Sequence, residues 1–373
     1  MRIAIPSAPP PHTVRRPPAG RVRRVNEDSF SPADAAGIRR LAIPTPFAVG
    51  RVNVYLIEDE PLTLVDAGPN SGSSLDELQR QVEAHGHKLE DIGLVILTHQ
   101  HIDHLGLVGI VAARSGADVA AIDAAVPFVE NYSQEAAADD EFSDAIMRRH
   151  GIPGDVVDAL KAVSAAFRAW GAKAKVSRVL RDGDTIELRD RRLEVSHRPG
   201  HSPTDTIFFD PERKQLLAAD HLLKHISSNP LISRRPGETE RPQSLVIYLE
   251  SLAKTREMDV DLVLPGHGDA FADHRDLIDQ RFALHERRAE KLLGLVDERP
   301  RTAYELAQAM WGNVAVTQAY LTLSEVLGHM DILLNDGRVR EVEENGVVHF
   351  EACYGRPDEV HANQNAGPDA PRS

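Results

Sequence analysis

The sequence predicts an α/β fold with two β-sheets, and three observations carry that expectation. Strand-length apolar runs alternate with helical stretches from residue 52 to residue 122, a helical interlude follows, and a second set of short strand-like runs occupies residues 176–219. Residues 52–57 (VNVYLI) and 62–66 (LTLVD) are alternating, β-branched runs joined by a charged turn and read as a hairpin. Residues 74–85 put Leu75, Leu78 and Val82 on one helical face, and the apolar strand 94–97 then stops at Thr98-His99. A helix over about 105–114 leads into a strand at 118–122. Between about 126 and 175 the pattern becomes two or three helices carrying Phe128, Met147, Leu160, Phe167 and Trp170, which reads as an inserted helical cap. Strand-like runs return at 176–180, 185–188, 192–196, 206–209 and 215–219 and make the second sheet. A helix at 243–257, a strand at 260–264, the turn Pro265-Gly266-His267-Gly268 and a long charged helix at 274–297 complete this part.

Beyond Pro300, helical patterns at 302–310 and 316–334 precede a hairpin of 338–342 with 347–351 around Asn345-Gly346, the pair that tolerates the positive φ of a tight turn. Helices followed by such a hairpin describe a winged helix. The expected organisation is a flexible Pro- and Arg-rich extension at 1–40, a catalytic domain at 41–298, a winged-helix-like domain at 299–354 and a disordered tail at 355–373.

Composition narrows the function. A net charge of −14 opposes attraction to phosphate backbones and anionic lipid, so a small-molecule substrate is expected in place of nucleic acid. No apolar run approaches the ~20 residues that span a bilayer, and residues 1–40 lack the apolar segment of a secretory signal, so the expected location is the cytoplasm. Cys353 is the single cysteine, so a metal site here must use histidine and carboxylate.

That ligand set is present. His99-Gln100-His101-Ile102-Asp103-His104 lies where an apolar strand stops and a helix begins, putting four ligand-type side chains within six residues. In a turning segment His99 and His101 project to one side, while Asp103 and His104 at the start of the helix reach a second point nearby. His201 in Pro199-Gly-His-Ser-Pro203, Asp220 after a strand and His267 in a Pro-Gly-His-Gly turn supply the rest, each in a context where ligands converge at one sheet edge. Imidazole and carboxylate suit zinc, with iron or manganese as alternatives. Asp66, at the end of an early strand, is placed to accept the second ring proton of a ligand histidine. His197, His221 and His225 are read as supporting residues, and His85, His87, His150, His274, His285, His329 and His349 as surface or helix-face residues.

With these residues the chain resembles the metallo-β-lactamase-fold hydrolase superfamily, specifically the branch that includes glyoxalase II. The resemblance implies an αββα sandwich with the metals at one sheet edge. It implies that His99, His101 and His201 hold a first zinc ion, that Asp103, His104 and His267 hold a second, and that Asp220 bridges them. Residues 321–327 and 337–339 resemble the winged-helix appendage of the lactamase-like protein 2 subgroup. The helix that would read DNA, about 318–335, is nearly devoid of Lys and Arg, so packing or a homodimer contact is its expected use.

Two ions sharing a water would lower its pKa toward neutrality and polarise a substrate carbonyl. Asp220 and Asp103 are the candidate catalytic carboxylates, with Asp220 orienting the nucleophile. The expected reaction is hydrolysis of a small ester, thioester or lactone, since the cap could line an apolar pocket. The alternatives are a phosphodiesterase or single-strand ribonuclease, and an iron-dependent persulfide dioxygenase. No substrate-binding residue stands out from the sequence, although Tyr132, Arg148, Arg149, Lys224 and Arg234 could bind an anionic group.

Overall fold

The structure is a computed structural model that describes residues 27–353 apart from residue 239. Strands β1 (Ile38–Ile43), β2 (Val52–Ile57), β3 (Thr63–Val65), β4 (Leu94–Ile96), β5 (Asp118–Ile122) and β6 (Arg178–Leu180) lie side by side in that order as the first sheet. β1 to β3 pair antiparallel and β3 to β6 pair parallel. The second sheet has β7 (Thr185–Glu187), β8 (Arg192–His197), β9 (Thr206–Asp210), β10 (Gln215–Ala219) and β11 (Leu262–Pro265) in the order β11-β10-β9-β8-β7, with only β10 and β11 parallel.

Because strand side chains alternate between faces, each strand of the second sheet feeds two layers. Phe208, Leu217 and Leu264 pack with Leu41, Leu56, Leu64 and Val95 of the first sheet. Their neighbours Ile207, Phe209, Leu216 and Val263 pack instead with Leu245, Tyr248 and Leu252 of the helix Ser244–Arg256 and with Ile278 of the helix His274–Glu298. Leu78 and Val82 of the helix Gly72–Ala84, and Val108 and Val111 of the helix Val108–Ser115, cover the first sheet. The architecture is therefore the helix–sheet–sheet–helix sandwich that the resemblance implied. No helix among the described residues is long and apolar enough to cross a membrane.

The expected flexible extension is corrected in its last part. Residues 1–26 lie outside the described residues, but Phe30, Ala33 and Ile38 are buried, and Ile38 opens β1. The Arg40 guanidinium sits 4.8 Å over the Phe30 ring. Only pairing with β2 makes this stretch a strand, and prolines further upstream conceal it from a compositional reading. The tail expected at 355–373 lies outside the described residues.

The cap consists of the helices Val126–Glu130, Tyr132–Arg149 and Gly154–Phe167. After it in the chain come the helices Ala303–Trp311 and Ala319–Asn335 and a small sheet of β12 (Arg301–Thr302), β13 (Val339–Glu344) and β14 (Val347–Ala352), ordered β12-β14-β13. Asn345 and Gly346, both at positive φ, turn β13 into β14. The C-terminal part is packed as core: Met147, Ile152 and Val157 of the cap, Leu292 and Val296 of the long helix, Leu323, Val326, Leu327 and Met330 of Ala319–Asn335, and Phe350 form one cluster. Twelve of the 17 residues of Ala319–Asn335 are buried, so this helix has no broad free face to lay in a nucleic-acid groove.

The two sheets are joined at one edge by Asn53 on β2. It is 1% exposed; its Nδ2 donates to Pro265 O at 2.9 Å and to Gly268 O at 3.0 Å, and its backbone N–H donates to Gly266 O at 2.7 Å. Tyr55 Oη donates to the same Pro265 O at 2.7 Å. Asn53→Ala would remove one buried and one half-buried bond from Nδ2, and the one that Arg40 donates to Oδ1 at 3.3 Å, and is expected to destabilise the chain by about 2–3 kcal/mol in urea unfolding. A change below ~0.5 kcal/mol would show that this junction contributes nothing to the sandwich.

Candidate metal centre

Parallel pairing of β3 with β4 and of β10 with β11 brings their carboxyl ends to one edge, where α/β proteins bind ligands. β3 runs into Asp66, whose φ of 62° turns its carboxylate under the end of β4. There Thr98 N–H donates to Asp66 Oδ1 at 2.9 Å and Thr98 Oγ1 donates to Oδ2 at 2.8 Å. The chain then delivers His99 and His101, and the short helix Ile102–Leu105 presents Asp103 and His104 from its first turn. Gly106 ends that turn against the backbone of Asn70 and Trp170, a contact that a Cβ would not allow. β10 delivers Asp220 through Ala219 at φ 44°, and β11 delivers His267 through Gly266, where a Cβ would collide with Asp220 Oδ1. His201 arrives from the loop before β9.

All seven residues meet. His101 Nδ1 lies 3.1 Å from His99 Nε2 and 3.0 Å from His201 Nε2. Beside this group, His267 Nε2 lies 3.3 Å from Asp103 Oδ2, and Asp103, His104 and His267 form a second triad able to surround an ion. Asp220 stands between the triads, with Oδ1 3.6 Å from His104 Nε2 and Oδ2 3.6 Å from both His201 Nε2 and His267 Nε2.

Four of the five rings have Nδ1 engaged on the side away from the triads. His104 Nδ1 is 2.7 Å from Asp66 Oδ2, His99 Nδ1 is 3.0 Å from Thr98 Oγ1, His201 Nδ1 is 3.0 Å from Asn229 O, and His267 Nδ1 is 2.9 Å from Arg51 O. Thr98 Oγ1 gives its own proton to Asp66, so it accepts from His99. Each contact places the ring proton on Nδ1 and leaves an Nε2 lone pair facing inward. Buried His104 Nε2, His267 Nε2 and Asp220 Oδ1 have no hydrogen-bond partner, which is costly unless an ion uses them. These donors fit a divalent cation.

The electrostatics agree. Burial, then the neighbouring imidazoles, holds His99 well below the ordinary histidine range and His101 at about 3. Burial likewise takes His201 to about 4. His104 moves the other way: burial lowers it, but Asp66, Asp103 and Asp220 together raise it to about 10. His267 is raised too, with Asp220 and Asp103 outweighing burial. Burial opposes the charge on Asp103, but His104 and His267 keep its carboxyl below the usual range. The carboxylates thus call for positive charge, and an ion would take the place of the His104 proton.

A cavity of about 600 Å³ opens onto His101, Asp103, His201, Asp220 and His267. Its walls include Phe47 and Val49, Phe128 and Phe167 of the cap, Ile226 and Leu231, and Leu321 of the helix Ala319–Asn335. Phe47 and Phe167 meet edge to face with centroids 5.6 Å apart. Of the candidate anion binders, Tyr132 lines this cavity, Arg234 is tied to Glu135, Arg148 to Asp144 and Asp158, and Arg149 to Glu343. Lys224 is exposed.

Several histidine readings change. His150, His274, His285 and His329 are buried, not on the surface. His329 Nδ1 is 2.6 Å from Glu325 O and His285 Nδ1 is 3.2 Å from His329 Nε2, a chain of bonds that makes burial tolerable. His221 is buried with Nε2 2.9 Å from Thr255 Oγ1, while His197 meets Pro203 O and His225 meets Asp269. Sequence reasoning missed Arg51 and Asn229, which act through backbone carbonyls that leave no mark on residue type. It gave Thr98 no role either, although a hydroxyl beside a candidate ligand histidine is a signal that could have found it.

Residues 48–267 match the family described as the Metallo-beta-lactamase superfamily. The "Probable metallo-hydrolase YqjP" of Bacillus subtilis (strain 168) is 32% identical over 310 residues, covering 83% of this chain and 96% of that protein. The acyl-coenzyme A thioesterase MBLAC2 of Gallus gallus is 28% identical over 241 residues, covering 60% of this chain and 75% of that protein. Among solved structures, a metallo-beta-lactamase family protein from Thermus thermophilus superposes with a TM-score of 0.73 at 26% identity, covering 85% of this chain and 99% of that one.

Asp66→Asn tests the anchoring of the rings. Asparagine tolerates the positive φ, so the backbone is spared, but its amide nitrogen must face either a Thr98 donor or the His104 Nδ1–H. Metal affinity, measured by competition with a chelator, is expected to fall about 10- to 100-fold. Unchanged affinity would mean that the Asp66 contact does not prepare His104 for an ion.

Proposed function

The chain is a metallo-hydrolase of the metallo-beta-lactamase superfamily, and from that premise we propose that it is a dinuclear zinc hydrolase acting on acyl thioesters. His99, His101 and His201 would hold the first ion and Asp103, His104 and His267 the second, with Asp220 standing between them as a ligand open to both. The observation that carries this reading is the pair of triads about one carboxylate at the end of an apolar cavity. Zinc ions, when bound, supply Lewis acidity that activates a water and polarises a carbonyl.

The chain's own residues do the rest. Asp220, 3.6 Å from a nitrogen of each triad, is placed to accept a hydrogen bond from the attacking water and to pass a proton toward the leaving thiol. Asp103 balances charge beside His267. Phe128, Phe167 and Leu321 exclude water from the bound acyl group, which strengthens the electrostatic contacts around it.

The cavity favours an acyl over a phosphoryl substrate. Its single guanidinium among the lining residues, Arg168, is neutralised by Asp140, which leaves no free lining cation for a phosphodiester, and Asp139 adds a further carboxylate. Acyl-coenzyme A thioesterase is also the named activity of a relative, MBLAC2. A thioester fits for a further reason: its weakly basic thiolate leaves without a strong general acid, and the carboxylates at hand are Asp103, within the second triad, and Asp220, between the two.

Purified protein supplied with zinc is expected to release free thiol from acyl thioesters, to lose that activity to a chelator, and to regain it with zinc. Asp220→Ala is expected to lower kcat about 10²- to 10⁴-fold. Thioester turnover that survives complete metal removal, or an Asp220→Ala protein with full metal content and full turnover, would sink the proposal.

A further inference from the structure

Between β10 and the helix Ser244–Arg256, residues 228–234 touch each body that surrounds the site. Toward the triads, Ser228 Oγ donates to Asp220 O, Asn229 O accepts from His201 Nδ1 at 3.0 Å, and Leu231 N–H donates to His201 O at 3.3 Å. Toward the C-terminal part, Asn229 Nδ2 donates to Leu321 O at 3.1 Å, Ile232 N–H donates to Ser324 Oγ at 3.3 Å, and Tyr320 Oη donates to Ile232 O. Toward the cap, Arg234 N–H donates to Asp139 Oδ1 at 3.1 Å and its guanidinium pairs with Glu135.

We propose that residues 228–234 form a strap through which the helix Ala319–Asn335 positions His201 for its ion, with Asn229 as the positioning residue. The inference rests on the reading of His201 as a ligand. A ring that donates Nδ1–H to a carbonyl has its tautomer and plane set by that carbonyl, so ligand quality depends on how firmly the carbonyl is held. The Asn229 peptide belongs to no helix or strand, and nothing in the sandwich holds it through regular pairing. What anchors it is its own side chain, whose Nδ2 reaches a backbone oxygen of a helix buried over most of its length. Asn229 Oδ1 is buried without a partner, so the amide is oriented by the Nδ2 bond. One residue therefore joins the metal ligand to the C-terminal core, by its main chain on one side and its side chain on the other.

The competing view is that these bonds only dock the C-terminal part. A second amide pair supplies the comparison, because Gln243 Nε2 donates to Asn335 Oδ1 at 3.3 Å and Asn335 Nδ2 donates to Gln243 Oε1 at 3.0 Å. That pair joins the chain nine residues after the strap to the same helix, is exposed, and lies outside the cavity lining.

The test is cobalt(II) titration of the metal-stripped full chain, followed by its visible ligand-field spectrum and by chelator competition. Asn229→Ala is expected to bind cobalt about 10- to 100-fold more weakly than the wild type and to shift the spectrum. Ser324→Ala should move both in the same direction, and Gln243→Ala should leave both unchanged. If Asn229→Ala does not fold, as judged by melting of the metal-free chain, Asn229→Asp keeps the side chain's size, cannot donate to Leu321 O, and should give the same loss. Wild-type affinity and spectrum in the Asn229 variant would overturn the proposal, as would an equal loss in Gln243→Ala. A wild-type chain that binds no cobalt would overturn both this inference and the ligand reading beneath it, which separates the two failures.

Discussion

The site depends on a buried carboxylate that cannot be satisfied by its own strand. Asp66 is 2% exposed and sits at a positive φ, so its oxygens turn away from the path of β3 and meet the end of β4. Three donors converge there: Thr98 N–H, Thr98 Oγ1 and His104 Nδ1. Charge-assisted bonds of this kind are about twice as strong as neutral ones, and removing the acceptor would leave three buried donors without it. The same carboxylate therefore closes the β3–β4 edge, sets the His104 tautomer and, through the Thr98 hydroxyl, sets the His99 tautomer. One interaction in the scaffold prepares a member of each triad.

The other half of the site is held across the sandwich. His267 follows β11 in the second sheet, but its ring is oriented by Arg51 O, immediately before β2 in the first sheet. Asn53 and Tyr55 secure the Pro265-Gly266 carbonyls from the same strand. The seam between the sheets and the centre are thus one structure, and the positions around it leave little room: a side chain at Gly266 would displace Asp220. Such a seam helps hold these polar and charged groups together out of solvent, six of the seven buried and His101 half-buried. His99, His104, His201 and His267 each have an outer partner fixed by the fold, and the inner atoms of the seven face one another in an arrangement that positive charge relieves.

Around this seam the cap and the C-terminal helices share one core, so the cavity has walls from three stretches of chain that are distant in sequence. Phe128 and Phe167 come from the cap, Ile226 and Leu231 from the loop after Asp220, and Leu321 from the C-terminal part. The helix Ala319–Asn335, for which packing or a homodimer contact was expected, is packed in this core and contributes Leu321 to the cavity wall. The same helix carries Glu325, His329 and Asp331 inward, where Arg288, His285 and Arg241 meet them.

The α/β alternation, the Asn345-Gly346 hairpin and the seven residues of the candidate centre were legible in the sequence because each is a local pattern. A strand end followed by four ligand-type residues is written in consecutive positions, and the Gly and Pro around His201 and His267 mark turns whatever the rest of the chain does. The strand at 38–43 was not legible, because an edge strand takes its identity from the neighbour it pairs with. Nor was the burial of His150, His274, His285 and His329, since a polar residue on a helix reads as surface until a partner is packed against it. Least legible were the acceptors that orient the rings: Asn229 O is 28 positions from His201 and Arg51 O is 216 positions from His267. Every residue has a backbone carbonyl, so residue type carries no information about which one will face a ligand. The sequence by itself determined the donors; the tertiary structure alone decided which atoms point them inward, because hydrogen bonding between distant segments exists only once the sheets have closed on one another.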